Sequence, residues 1–268
     1  MKDVNSTALV PASSTPLRRG ARRAWMFLIA AAGVMAPQPG PVSAQSYLLN
    51  EGFEGAGYEN SGWSAFSTID PDYTTTALAG SQSLRCSGTS SFIMRPLVPG
   101  NSFYCYFQIR WLSFAPYKFV VDWLDASSSS ISRVITDDFP HKLGIVHGSV
   151  SAPGTTALSA NTTYHVWVEW TRGTGSDGTM KLFVSTTGIK PASPEANITA
   201  GNGTSTIAKF DIGPFDASGT TDVIYDRMLI DDEPIGSNPG GNSPPTITSI
   251  ANQTTPVSTA IGPIPFAI

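Results

Sequence analysis

Along most of the chain apolar residues alternate with polar ones at a period of two, the spacing of a strand with one buried face. Ten segments carry the pattern most clearly: 47–53 (YLLNEGF), 82–87 (QSLRCS), 91–97 (SFIMRPL), 102–112 (SFYCYFQIRWL), 117–125 (YKFVVDWLD), 130–136 (SISRVIT), 142–149 (KLGIVHGS), 162–171 (TTYHVWVEWT), 179–186 (TMKLFVST) and 222–231 (DVIYDRMLID). Separators such as APGTTALSAN and RGTGSDG hold the Gly, Ser, Asn and Asp that turns require. No longer window repeats apolar residues at helical spacing, so any helix should be a single turn. About ten to thirteen strands in roughly 185 residues predict an all-β fold, a two-sheet antiparallel jelly-roll sandwich. That length buries a core without help from a metal or several disulfides.

Composition agrees with this reading. The 268 residues are 41% hydrophobic and 13% charged, with 25 Gly and 21 Pro, which excludes a disordered chain and disfavours a helical bundle. The net charge of −4 hides an uneven distribution. Residues 1–44 hold five of the 16 basic side chains and one of the 20 acidic ones, leaving 11 against 19, a net −8, on residues 45–268. Such an acidic body excludes a nucleic-acid partner.

The basic block precedes an apolar stretch from about Ala24 to Ala36 and a Val42-Ser43-Ala44 small-x-small site, which predicts a cleaved export signal over 1–44. The stretch is too short for a bilayer span, and nothing after residue 45 is long and apolar enough for one, so the protein is expected to be secreted or on the cell surface. The sandwich is then expected over 45–236. A Gly/Pro/Ser/Asn linker occupies 237–246, and 247–268 reads as the truncated start of a further β domain.

Cys86 shares a strand face with Leu84, and Cys105 with Phe103, Phe107 and Ile109, so both point inward. In an oxidising compartment a cross-strand disulfide is the preferred reading, which needs Cα atoms within about 7 Å. Two buried free thiols are the other.

Four stretches carry a family resemblance: NEGFEG with Gly62-Trp63 soon after, AGSQSLRCSG, YHVWVEWTRGTGSDGTMKLFVS and VIYDRMLIDDEPIG. Together they resemble the concanavalin A-like lectin/glucanase superfamily, including laminin G-like and related carbohydrate-binding modules of secreted bacterial proteins. The tail PPTITSIANQTT resembles the start of an immunoglobulin- or cadherin-like repeat. The resemblance implies a structural calcium held by Glu54, the backbone of Gly80 and Asp226. Without calcium, Glu54 and Asp226 would be solvated or paired with Arg85 or Arg227.

Hydrolases of that superfamily set two carboxylates on one strand as Glu-x-Asp-x-Glu, with same-face spacing. No such run occurs here: Asp122 and Asp125 face opposite sides of a regular strand, and Glu169 has no acidic partner two residues away. His141, His147 and His165 lack metalloprotease spacing, and no G-x-S-x-G elbow or C-x-x-C pair is present. The expected function is a non-catalytic module that binds polysaccharide or glycoconjugate. Tyr117, Asp122 and Trp123 on one strand and Trp167 and Glu169 on another are the candidate sugar contacts, rings for stacking and carboxylates for hydroxyls. A spacer domain without a sugar site and a divergent glycoside hydrolase or lyase are the alternatives.

Overall fold

The computed structural model describes residues 46–55, 62–115, 118–137, 141–215 and 219–239. The expected export signal, Tyr117 and the expected further domain lie outside them. Among the described residues there is no helix, and hence none long and apolar enough to cross a membrane. The strands are β1 (Leu49–Glu51), β2 (Ser64–Phe66), β3 (Ile69–Tyr73), β4 (Ser83–Gly88), β5 (Phe92–Gly100), β6 (Ser102–Ser113), β7 (Lys118–Leu124) and β8 (Ser130–Thr136). They continue with β9 (Lys142–His147), β10 (Val150–Ala157), β11 (Thr163–Thr171), β12 (Gly178–Ser185), β13 (Ala196–Gly201), β14 (Ile207–Phe215) and β15 (Thr221–Asp231).

These strands form two antiparallel sheets packed as a sandwich. The first runs β13-β12-β11-β6-β15-β4-β3, with β1 also paired to β15; the second runs β10-β9-β8-β7-β14-β5-β2. Alternation sorts the side chains. In β11, Tyr164, Val166, Val168 and Trp170 enter the shared core, and His165, Trp167 and Glu169 take the outer face. Trp170 reaches across the core, where its Nε1 donates to Ser132 Oγ of β8 at 2.9 Å. Ser132 in turn lies 3.3 Å from His147 Nδ1, and His147 Nε2 donates to the Thr171 carbonyl at 3.2 Å. Burial holds His147 below the usual imidazole range, which keeps the ring neutral inside the core.

The cysteines are buried free thiols rather than a disulfide. Strand β15 lies between β4 and β6, with Cys86 beside Val223 and Cys105 beside Ile230 towards the other end of β15. Two strand spacings alone separate them by about 9–10 Å, beyond the reach of a bridge. Cys105 Sγ packs 3.6 Å from Met228 Sδ instead, and burial pushes both thiols up.

Past β15 the chain crosses the outer face of the first sheet. Ile235 is buried there against Tyr106, Trp167, Phe183 and Leu229. Trp167 Nε1 donates to the Gly236 carbonyl at 2.9 Å, and Asn238 N to the Gly188 carbonyl at 2.9 Å. This strap makes a second apolar cluster and closes that face.

Candidate functional site

The outer face of the second sheet carries a row of aromatic rings across four adjacent strands. Phe66 on β2 stacks on Phe92 on β5 with centroids 4.7 Å apart, and Phe92 lies 5.3 Å from Phe215 on β14. Phe215 meets Phe119 on β7 edge-on at 4.7 Å, and the Arg133 guanidinium of β8 caps the row 4.4 Å from the Phe119 centroid. None of the four rings belongs to the shared core, and Phe66 is 42% exposed. The row depends on a register shift between Ile212 and Phe215 that sets Phe215 opposite Phe119. Gly213 makes the shift, with φ at 133° and the Ser91 carbonyl 2.3 Å from where a Cβ would stand.

Beside the row, Asp122 of β7 and Asp211 of β14 are direct cross-strand partners. Both are on the outer face, yet they are only 2% and 6% exposed. Asp122 Oδ1 accepts from Ser130 Oγ at 2.5 Å, its Oδ2 lies 3.6 Å from Arg133 Nε, and Arg133 Nε donates to Ser130 Oγ at 2.7 Å. Asp211 Oδ1 has no hydrogen-bond partner. Burial pushes Asp122 up to about 6 against the pull of Ser130 and Arg133. Burial and the facing Asp122 carboxylate push Asp211 up to about 7.

The residues expected to hold calcium come together at the other sheet. Glu54 accepts from Ser81 N at 2.8 Å, Ser81 Oγ at 2.6 Å and Gln82 N at 3.3 Å. Asp226 Oδ2 accepts from Ala79 N at 2.8 Å and Ser83 Oγ at 2.7 Å. Loop 78–83 thus bridges the two carboxylates, and Gly80 between them turns with φ at 61° so closely under Glu54 that a Cβ would lie 1.7 Å from Oε1. The Ser81 hydroxyl above all holds Glu54 below the usual carboxylate range. Burial lifts Asp226 to about 6, with Ser83, Ala79 and Arg227 pulling it down and Glu54 adding to the lift. Arg85, an alternative partner for these acids, is instead bidentate to Asp222 at 2.9 and 2.6 Å. Among the described residues no three His, Cys, Asp or Glu side chains gather as a metal cluster, so backbone and hydroxyl oxygens would complete any coordination.

The other candidate sugar contacts are dispersed. Trp123 is 1% exposed and points into the shared core, because it pairs with Phe210 and Ser132 on the inward side of the second sheet. Trp167 is on an outer face as alternation requires, but it is 1% exposed beneath the strap. Glu169 is held by Lys181 at 3.1 Å and Lys190 at 2.9 Å, and although burial opposes them, these amines keep its carboxyl below the usual range. Of the four candidate sugar contacts among the described residues, Asp122 alone adjoins the aromatic row. The four phenylalanines and Asp211 escaped sequence reasoning, which weighed only tryptophan and tyrosine as stacking rings; the available signal was Phe92, out of phase with the core residue Ile93, whereas Phe119 is in phase with Val121 and Trp123 and reaches the outer face through the register shift beside it.

No protein family and no curated protein sequence matches the chain. Solved structures do match in fold. An endo-β-1,4-glucuronan lyase from the fungus Trichoderma reesei aligns with a TM-score of 0.56 at 10% identity, over 70% of this chain and 96% of that one. The cellulose-induced protein Cip1 aligns with a TM-score of 0.52 at 16% identity, over 71% of this chain and all 100% of its own. A sialidase aligns with a TM-score of 0.50 at 13% identity, over 69% of this chain and 18% of the larger enzyme. At such identities the likeness establishes the β-sandwich fold that these carbohydrate-related proteins share.

Proposed function

We propose that this chain is a non-catalytic, extracellular carbohydrate-binding module of the concanavalin A-like superfamily, which takes polysaccharide or glycoconjugate on the outer face of its second sheet. The observation that carries the reading is the row Phe66, Phe92, Phe215, Phe119 and Arg133, four rings and a guanidinium side by side on the outer face of the sheet. Aromatic faces stack on the apolar faces of pyranose rings, and flanking groups such as Ser130 and Arg133 supply hydrogen bonds to hydroxyls. The shared fold of the lyase and sialidase adds support as analogy alone.

Binding is favoured over hydrolysis by access. Glycosidic cleavage needs two carboxyl groups flanking the scissile bond, and the facing pair here, Asp122 and Asp211, is shielded from solvent. Calcium completes the proposal, with Glu54, the Gly80 main chain and Asp226 as its holders and a structural role at the meeting of loop 78–83 with the first sheet.

Affinity electrophoresis through gels of neutral, uronate-containing and sialylated glycans tests the site. Retardation by at least one class is expected, with Phe92→Ala weakening it about tenfold, the cost of one stacking contact of about 1.4 kcal/mol. Passage unretarded through all three supports the spacer reading instead. Release of reducing ends or unsaturated products from any of them establishes an enzyme.

A further inference from the structure

Asp122 and Asp211 have a second consequence that does not depend on sugar binding. They are direct partners on β7 and β14, adjacent inner strands of the second sheet. Directly opposed residues carry their Cβ atoms about 4.5–5.5 Å apart, which brings two carboxyl groups within hydrogen-bonding reach on one face. The charges around them do not balance two carboxylates. From β8 comes Arg133, 3.6 Å from Asp122 and shared with Ser130 and the Phe119 ring. From β14 comes Lys209, which donates to Ser128 Oγ at 2.7 Å and faces the exposed Asp125, and whose charge also draws Asp211 down, though less than burial and Asp122 raise it. On the far side of Asp211, β5 offers Met94, which brings no charge. On the far side of Arg133, β9 offers Val146. The one buried oxygen of this group left without a donor, Asp211 Oδ1, belongs to the carboxyl farther from Arg133. Two buried ionised carboxylates facing each other across the seam, with Arg133 alone paired to one of them and Lys209 bonded to Ser128, are a costly arrangement.

We propose that Asp122 and Asp211 hold a single shared proton, a carboxylic acid donating to a carboxylate across the β7–β14 seam, and that its loss loosens the seam, making the pair a pH-responsive switch within the second sheet. The shared proton gives the orphaned oxygen its partner and lowers the charge of the pair from two to one, which Arg133 matches. Burial acts in the same direction by disfavouring the second ionisation.

The sign follows from linkage. In the unfolded chain both groups ionise near the ordinary Asp value of about 3.9, so from about pH 6, where Asp122 gives up its own proton, to about 7 the folded state binds one proton more than the unfolded. Stability from the pair is complete below the unfolded value and drains away as pH rises through the folded value, held at about 7 on Asp211. His147 and His165 are held below the usual imidazole range by burial, so they weaken the fold as pH falls, and the test must be a difference between variants.

In Asp211→Asn an amide donates permanently to Asp122, replacing the proton. Chemical denaturation of the wild-type chain and of this variant at pH 5, 6, 7 and 8 should give a ratio of wild-type to variant folding constants that falls about tenfold per unit between about pH 5 and 7. A ratio independent of pH overturns the proposal. Carboxyl carbon NMR of the wild-type protein, with ¹³C at aspartate, gives a reading that needs no variant. Two linked titration steps seen at both Asp122 and Asp211, one of them near neutrality, support the shared proton. Single steps for both in the ordinary carboxylate range overturn it.

Discussion

At the scale of single residues, Gly213 shows how a small side chain sets a large surface. It sits on β14 between the core residue Ile212 and the outer-face residue Phe215, and its φ of 133° lies where a side chain is strained. The obstruction to a side chain is backbone rather than a yielding side chain: the Ser91 carbonyl would stand 2.3 Å and the Phe92 Cα 2.7 Å from an added Cβ. Gly213→Ala must therefore push β5 away from β14, and β5 carries Phe92, the second ring of the aromatic row. The expected cost is about 2–4 kcal/mol from strained φ and overpacking together. Thermal unfolding measures that loss, and glycan retardation should weaken with it. An alanine variant as stable as the wild type would show that the close approach of β5 and β14 is not maintained in solution.

At the scale of elements, alternation located β4, β6, β7, β8, β9, β11, β12 and β15 to within a residue or two, and β5 short by three residues at its end, because each sets an apolar row towards the shared core. It missed β10, whose Pro153 and Gly154 sit at the edge of the second sheet, where the absent proline N–H costs no ladder bond. It also missed β14, whose IAKFDIGPF is broken by a glycine and a proline and buried on both sides at several positions. The omission mattered most for the site, since β14 supplies Asp211 and Phe215. The disulfide expectation failed for a related reason. Cys86 and Cys105 are on β4 and β6, but the strand inserted between them, β15, comes from more than a hundred residues later in the chain. Local patterns fix which face a residue takes; they carry no information about which strand becomes its neighbour. The residues of the GFEG, AGSQSL and IYDRM motifs do become neighbours, because the bulge at Arg227 on β15 (φ 48°) brings Asp226 against loop 78–83 and so towards Glu54. Calcium at a hundred times its dissociation constant should add about 2.7 kcal/mol to unfolding, and Asp226→Asn should abolish the gain. Identical melting temperatures in calcium and in chelator would remove calcium from the proposal.

At the scale of the whole molecule the two outer faces differ in what covers them, and this decides where a ligand has room. The first sheet is rich in outer-face aromatics, with Tyr104, Tyr106, Trp167 and Phe183 near one another, and alone it would look like a sugar platform. The strap takes that surface. Ile235 fills the cluster, Lys190 donates from its main chain to Ser237 Oγ at 2.9 Å and from Nζ to the Ile235 carbonyl at 3.2 Å, and Trp167 spends its indole donor on Gly236. No strap crosses the aromatic row of the second sheet among the described residues, so the open face and the proposed ligand face coincide. Ile235→Ala separates the two surfaces. Loss of the buried side chain should cost about 2–4 kcal/mol in unfolding and let quenchers reach Trp167 fluorescence, while glycan retardation through the second sheet stays at its wild-type value. If the variant instead binds glycan more strongly, the sugar platform lies beneath the strap, the row of phenylalanines has another purpose, and the strap acts as its cover.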